Sequence, residues 1–162
     1  MKSETRFFDA CLERTGTQIV SGSWDKTVRV WEKEGDDWVT KFVLQGHTSF
    51  VSSLTTIQTP TGTQILSGSF DSTIRIWEKE GDNWVTKFVL QGHKGWMNSL
   101  TTIQTPTGTQ IVSGSDDKTI RIWEKEGDDW VTKFVLKGHT SYVWSLTTIQ
   151  TPTGTQIVSG SD

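Results

Sequence analysis

The residue types in this chain that could do chemistry come in copies. All three histidines, His47, His93 and His139, follow a glycine and stand 46 residues apart. An imidazole can serve as a general base or a metal ligand, but either role needs one set of partners rather than three evenly spaced ones. Carboxylates gather in Glu32-Lys33-Glu34-Gly35-Asp36-Asp37 and its copies. Dedicated calcium loops place oxygen ligands at alternate positions, and this spacing does not, so these segments read as solvated loop charge. Cys11 is the only cysteine and has no partner for a disulfide or a thiolate metal site. Neither a phosphate-binding glycine–lysine loop nor an HExxH, GxSxG or CxxC motif occurs. The chain is expected to be no enzyme and to hold no cofactor or metal.

The elements that carry these residues repeat with them. Gly16-Thr17-Gln18-Ile19 returns at Gly62, Gly108 and Gly154, and Trp31 returns at Trp77 and Trp123. Residues 62–107 and 108–153 differ at only 10 of 46 positions, the mark of stacked supersecondary units rather than one globular core. Within one copy, Phe50–Ile57 is β-branched and apolar with roughly alternating faces, a strand. Gln58–Gly62 is turn chemistry, Gln64–Ser69 a second strand, and Phe70-Asp71-Ser72 a tight turn. Thr73–Glu78 alternates strictly as a third strand, Lys79–Asn83 is a charged loop, and Trp84–Leu90 is a fourth strand. No helical period occurs, so the chain is expected to be all-β.

Composition bounds the rest. The 162 residues suit one domain, and 9 Trp with 7 Phe fill a core with few positions. Net charge is −3, pI is near 5.6, and no basic cluster could neutralise a phosphate backbone, which argues against nucleic acid as a partner. No apolar run is long enough to span a bilayer and none follows Met1 as a leader would, so no membrane partner is expected. A lone cysteine points to a reducing, cytoplasmic setting.

A Gly-His pair, a strand–turn–strand, and then Ser-Gly-Ser-x-Asp-x-Thr-Ile-Arg-Ile-Trp resembles the WD-repeat β-propeller, with Trp-Glu where that family usually has Trp-Asp. The resemblance covers nearly the whole chain. It implies four-stranded antiparallel blades over residues 6–45, 50–91 and 96–137, with a half-blade over 142–162. It also implies a hydrogen-bond network in each unit: His47, Ser67, Asp71 and Trp77 in one, His93, Ser113, Asp117 and Trp123 in the next. Ser, His and Asp together suggest a catalytic triad. A triad, however, needs one exposed nucleophile beside an oxyanion hole, whereas this set recurs and includes a Trp donor, as a buried structural network would.

Copies of one scaffold are informative where they differ. Differences cluster just after Gly-His and around the turn Asp, loops that the resemblance places together on the top face of a propeller. Trp24, Phe50, Phe70, Trp96, Asn98, Asp116, Tyr142 and Trp144 are therefore the expected contacts for a protein or peptide, since aromatics dominate interface energetics. The competing reading is a lectin-like propeller with aromatic pockets between blades that take small ligands.

Three and a half blades fall short of the 4 to 8 that close a ring. Either the chain is a fragment or sensor region of a longer propeller, cut mid-blade, or two chains close a homodimeric ring by exchanging strands. The first blade has Ser21, Asp25 and Trp31 but no His, while the last has His139 and Ser159 but no turn Asp. For two chains, six blades fit the phase of the repeat better than seven.

Overall fold

The computed structural model describes residues 7–12, 18–152 and 154–162. Among them there is no helix and there are fourteen strands. The first sheet runs β1 (Phe7–Leu12), β2 (Gln18–Ser23), β3 (Val28–Glu34) and β4 (Asp37–Leu44), each antiparallel to the next. The second holds β5 (Val51–Thr59), β6 (Gly62–Ser69), β7 (Thr73–Glu80) and β8 (Asn83–Gln91) in the same order. The third repeats it with β9 (Met97–Thr105), β10 (Gly108–Ser115), β11 (Ile120–Glu126) and β12 (Asp129–Leu136). β13 (Val143–Thr151) and β14 (Gly154–Ser161) form a two-stranded sheet. These are three propeller blades and a half. Cys11 lies on β1, and its side chain falls outside the described residues.

The strands run further than the sequence pattern suggests. β5 reaches Thr59 and β6 starts at Gly62, so the turn shrinks to Pro60-Thr61. The charged loop shrinks likewise to Gly81-Asp82, closed by the Glu80–Asn83 pair. Gly81 stands at φ 59° while Asp82 stays at negative φ, as in hairpin turns that demand glycine first. A glycine that accepts positive φ thus lets charged residues continue the ladder where composition alone suggests a loop.

Each hydrophobic core lies between blades rather than within one. Ile65 and Leu66 are sequence neighbours on β6, and both are fully buried. Successive strand residues face opposite sides of a sheet, so Ile65 packs with Val20, Val28 and Val30 of the first blade, and Leu66 with Met97 and Leu100 of the third. A third cluster joins Ile103, Val112 and Ile122 to Val143 and Leu146 of the half-blade. The innermost strands are also stitched by hydrogen bonds. Leu100 N donates to Ser53 Oγ at 2.9 Å, and Leu146 N to Ser99 Oγ at 3.1 Å. Stacked in this way, the blades share one end for their β2–β3-type turns and β4–β5-type connections.

Candidate functional site

Beneath that end the structure brings His47, Ser67, Asp71 and Trp77 together. Trp77 Nε1 donates to Ser67 Oγ at 2.8 Å, and Ser67 Oγ meets His47 Nε2 at 2.8 Å. His47 Nδ1 meets Asp71 Oδ2 at 2.8 Å. An indole N–H can only donate, so the serine gives its own proton to Nε2 and the histidine gives Nδ1–H to the carboxylate. The next blade repeats the set: Trp123 to Ser113 at 2.8 Å, Ser113 to His93 at 2.9 Å, and His93 to Asp117 at 2.8 Å. Each Asp also accepts from the backbone. Asp71 takes the amides of Thr73 and Thr48, both at 3.0 Å, and Asp117 those of Thr119 and Lys94.

In the His93 network the electrostatics agree with a neutral imidazole beside an ionised carboxylate. Burial pushes the His93 imidazole below its ordinary value, outweighing the pull of Asp117. Burial alone would raise the Asp117 carboxyl, but donation from Thr119, Lys94 and His93 brings it down to about 2. Asp71 is lowered in the same way, with His47 and Thr73 overcoming its burial. Ser67 and Ser113 have no exposed surface and spend their protons on histidine. Both hydroxyls are buried and bonded on two sides, an arrangement that suits a structural network. Among the described residues no group of three or more His, Cys, Asp or Glu is placed to hold a metal ion.

The glycines before His47 and His93 are packing requirements, whereas nothing lies within 4 Å of a Cβ on Gly138 before His139. A Cβ on Gly46 would stand 2.7 Å from Arg75 Nη1 and 3.3 Å from the Trp77 ring, and one on Gly92 would press on Arg121 and Trp123 in the same way. Arg75 lies over Trp77 at 5.9 Å and donates to Thr86 Oγ1 at 3.3 Å. Sequence reasoning named the dipeptide without the arginine that explains it; the recurrent Arg two residues before each Trp was the available signal.

Above the networks, four of the expected contact residues form one row. Trp24 stacks on Phe50 with ring centres 5.0 Å apart and planes 14° apart. Phe50 leans on Phe70 at 5.8 Å, and Phe70 stacks on Trp96 at 4.4 Å and 5°. The row crosses two blade junctions, and its outer rings, Trp24 and Trp96, are exposed. At the third junction Asp116 takes the place that Trp24 and Phe70 hold earlier, and the row stops. Asn98 donates to Asp116 Oδ1 at 2.7 Å and to the Val143 carbonyl at 3.1 Å, spanning the joint. Tyr142 and Trp144 meet edge to face at 6.1 Å, both exposed, and Trp144 Nε1 donates to Asp162 at 2.8 Å.

A family model, WD40 (WD domain, G-beta repeat), matches residues 8–32, 38–78, 84–124 and 130–162. The chain belongs to the WD-repeat family. No curated protein matches it. WD repeats generally serve as scaffolds for protein–protein interaction and are typically non-catalytic. The matched WD repeats straddle the blades: residues 38–78 take in β4 of the first blade and β5 to β7 of the second. The second, third and fourth matches therefore each begin on the outer strand of the preceding blade.

At the opposite end, sequence reasoning missed an open groove of about 910 Å³ between the second and third blades. Phe88 and Trp130 line it with Gln58, Lys87 and Glu124. A smaller hollow of about 310 Å³ lies beside Trp84 and Glu78 between the first and second blades.

Proposed function

We propose that this WD-repeat chain is a non-catalytic scaffold that binds a protein or peptide with the end carrying its Asp turns, by itself or as the sensor region of a larger protein. The stacked row Trp24–Phe50–Phe70–Trp96 carries this reading. Its rings hold one another in place, so their exposed faces give contact area without ordering flexible side chains on binding. Asn98, Asp116, Tyr142 and Trp144 extend the face with polar and aromatic groups that differ from blade to blade. A net charge of −3 favours protein over nucleic acid or an anionic membrane, and the lone Cys11 suits the cytoplasm. A further proposed partner is a second copy of the chain, closing a ring by strand exchange.

The groove beside Phe88 and Trp130 favours a second reading, a small-ligand pocket between blades. A lectin-like propeller would carry equivalent pockets at each junction, and the two grooves here differ about threefold in volume.

Peptides selected from a random display library against the immobilised chain test the first reading. Binding measured by fluorescence polarisation should fall at least tenfold in Trp96→Ala/Trp144→Ala and hold in Trp130→Ala at the opposite end. The reverse pattern, or binding of glycans lost in Trp130→Ala, would move the site to the groove.

A further inference from the structure

The half-blade and the first blade are deficient in complementary ways. His139 Nε2 meets Ser159 Oγ at 2.7 Å, but among the described residues no carboxylate meets its Nδ1 and no Trp donates to Ser159. In the first blade Trp31 Nε1 donates to Ser21 at 2.8 Å, and Asp25 holds Thr27 and reaches Arg29, with no histidine beside it. One end has the His and Ser of a network, and the other has the Asp and Trp.

The apolar surfaces match in the same sense. Phe42 and Phe88 pack against the same core clusters as Trp84 and Trp130 of the blade that follows each of them, while Phe134 is exposed. Leu44 and Leu90 are 4% exposed, and their copy Leu136 is 39% exposed. Leu66 and Val112 are fully buried where Val158 is 44% exposed. At the other end Trp38 is exposed, whereas its copies Trp84 and Trp130 are partly buried against the core clusters that also hold the phenylalanines of the preceding blade. The surface that lacks tryptophans above it and the surface whose tryptophan lacks a phenylalanine below are the two halves of a junction that the fold already makes twice.

Strand pairing is permitted as well. β14 bonds only to β13, so its outer edge is open. Residues 154–161 and residues 16–23 are the same eight letters, Gly-Thr-Gln-Ile-Val-Ser-Gly-Ser. β3 pairs Gln18 with Glu32, Ile19 with Trp31, Val20 with Val30 and Ser21 with Arg29. β14 can offer β3 of another chain the same side chains in the same register, and register is what decides which face is buried.

We infer that β13–β14 of one copy displaces β1–β2 from β3–β4 of a second copy, and the reverse, closing a two-fold ring of six blades. This rests on the strand-exchange reading above and specifies it. In each hybrid blade Ser159 accepts from Trp31 of the other chain, and His139 donates to its Asp25. Trp31 and Trp38 cover Phe134 and Leu136, and Val158 takes the place of Val20 against the second blade. The exchange is isologous, so it closes on itself and leaves neither β14 nor β3 with an open edge.

The test uses the 162-residue chain with Cys11→Ser and two pairs of cysteines. Gln156→Cys/Glu32→Cys should run as a covalent dimer after oxidation with glutathione, because an opposed strand pair lies within disulfide reach. Gln18→Cys/Glu32→Cys should stay unlinked in the dimer, since β2 has left β3. Light scattering on the parent chain should give twice 18.2 kDa. A monomer overturns both this pairing and the homodimer itself. A dimer in which Gln18→Cys/Glu32→Cys closes within each chain, while Gln156→Cys/Glu32→Cys does not link, overturns the pairing alone. A ladder of higher masses overturns the closed ring.

Discussion

Replacing Ser67 by alanine measures the buried network directly. The hydroxyl accepts from Trp77 Nε1 and donates to His47 Nε2, both at 2.8 Å, with no solvent in reach. Alanine fits the space but leaves one buried donor and one buried acceptor unpaired. Each orphan costs about 1–3 kcal/mol, so the loss should be about 2–6 kcal/mol. For a chain of this size each kcal/mol moves the melting temperature by about 2–4 °C, which puts the expected drop near 10 °C. Ser21 is the internal control. Its hydroxyl serves Trp31 Nε1 and no histidine, so Ser21→Ala orphans one group and should cost about half as much. Melting curves followed by near-ultraviolet circular dichroism would report both. Equal losses in the two variants, or no loss in Ser67→Ala, would refute the network account of these residues.

Acid should unfold the chain in stages. His93 lies below its ordinary 6.5 in the native state, so the unfolded chain takes up its proton first and stability falls as pH drops below about 6.5. Asp117, held at about 2 against 3.8 unfolded, contributes stability above about 3.8 that is lost as pH falls toward 2. Melting temperatures from pH 8 to 2 should show both declines, and Asp71→Asn/Asp117→Asn should flatten the lower one. Gly92→Ala should cost about 1–3 kcal/mol by overpacking, because the new Cβ would stand 2.8 Å from Arg121 Nη1 and 3.1 Å from the Trp123 ring. Gly127→Ala, where nothing lies within 4 Å but φ is 61°, should lose stability through backbone strain alone, read by the same melts. Ser159→Ala should cost little in a monomeric chain, where among the described residues Ser159 meets only His139. In the exchanged ring the loss should rise to that of Ser67→Ala.

The fold was legible because its units are copies: one reading of four strands, repeated, gives three sheets in order. What escaped was set by backbone geometry and by neighbours. Glycines at positive φ shortened the charged loops into two-residue turns, and composition carries no sign of which φ a glycine adopts. The network partners were legible through the family resemblance, since 20, 24 and 30 residues separate His47 from Ser67, Asp71 and Trp77 and no local pattern links them. The aromatic row was half legible. Its members stood out as the positions where copies differ, but nothing in the sequence says that Trp24 stacks on the following blade's Phe50 rather than on Phe70. The role of Asn98 as a strut to the Val143 carbonyl needed the blade packing.

Why the copies differ where they do follows from where the cores sit. Ile65 and Leu66 face two different blades, so an inward strand residue answers to two junctions at once, and a change in volume must be matched on both sides. The turn Asp, its Thr and the His are bound into hydrogen bonds, and the glycines before His47 and His93 are packed against Arg and Trp. Positions 70, 72, 94–96 and 98, with their copies, lie outside those cores and the His–Ser–Asp–Trp networks, where one ring can be replaced by another or by a carboxylate. Most of the substitutions between near-identical copies fall there. A scaffold built from one repeated unit can recognise something asymmetric only through such positions, and the stacked row that ends at Asp116 is an asymmetry of that kind.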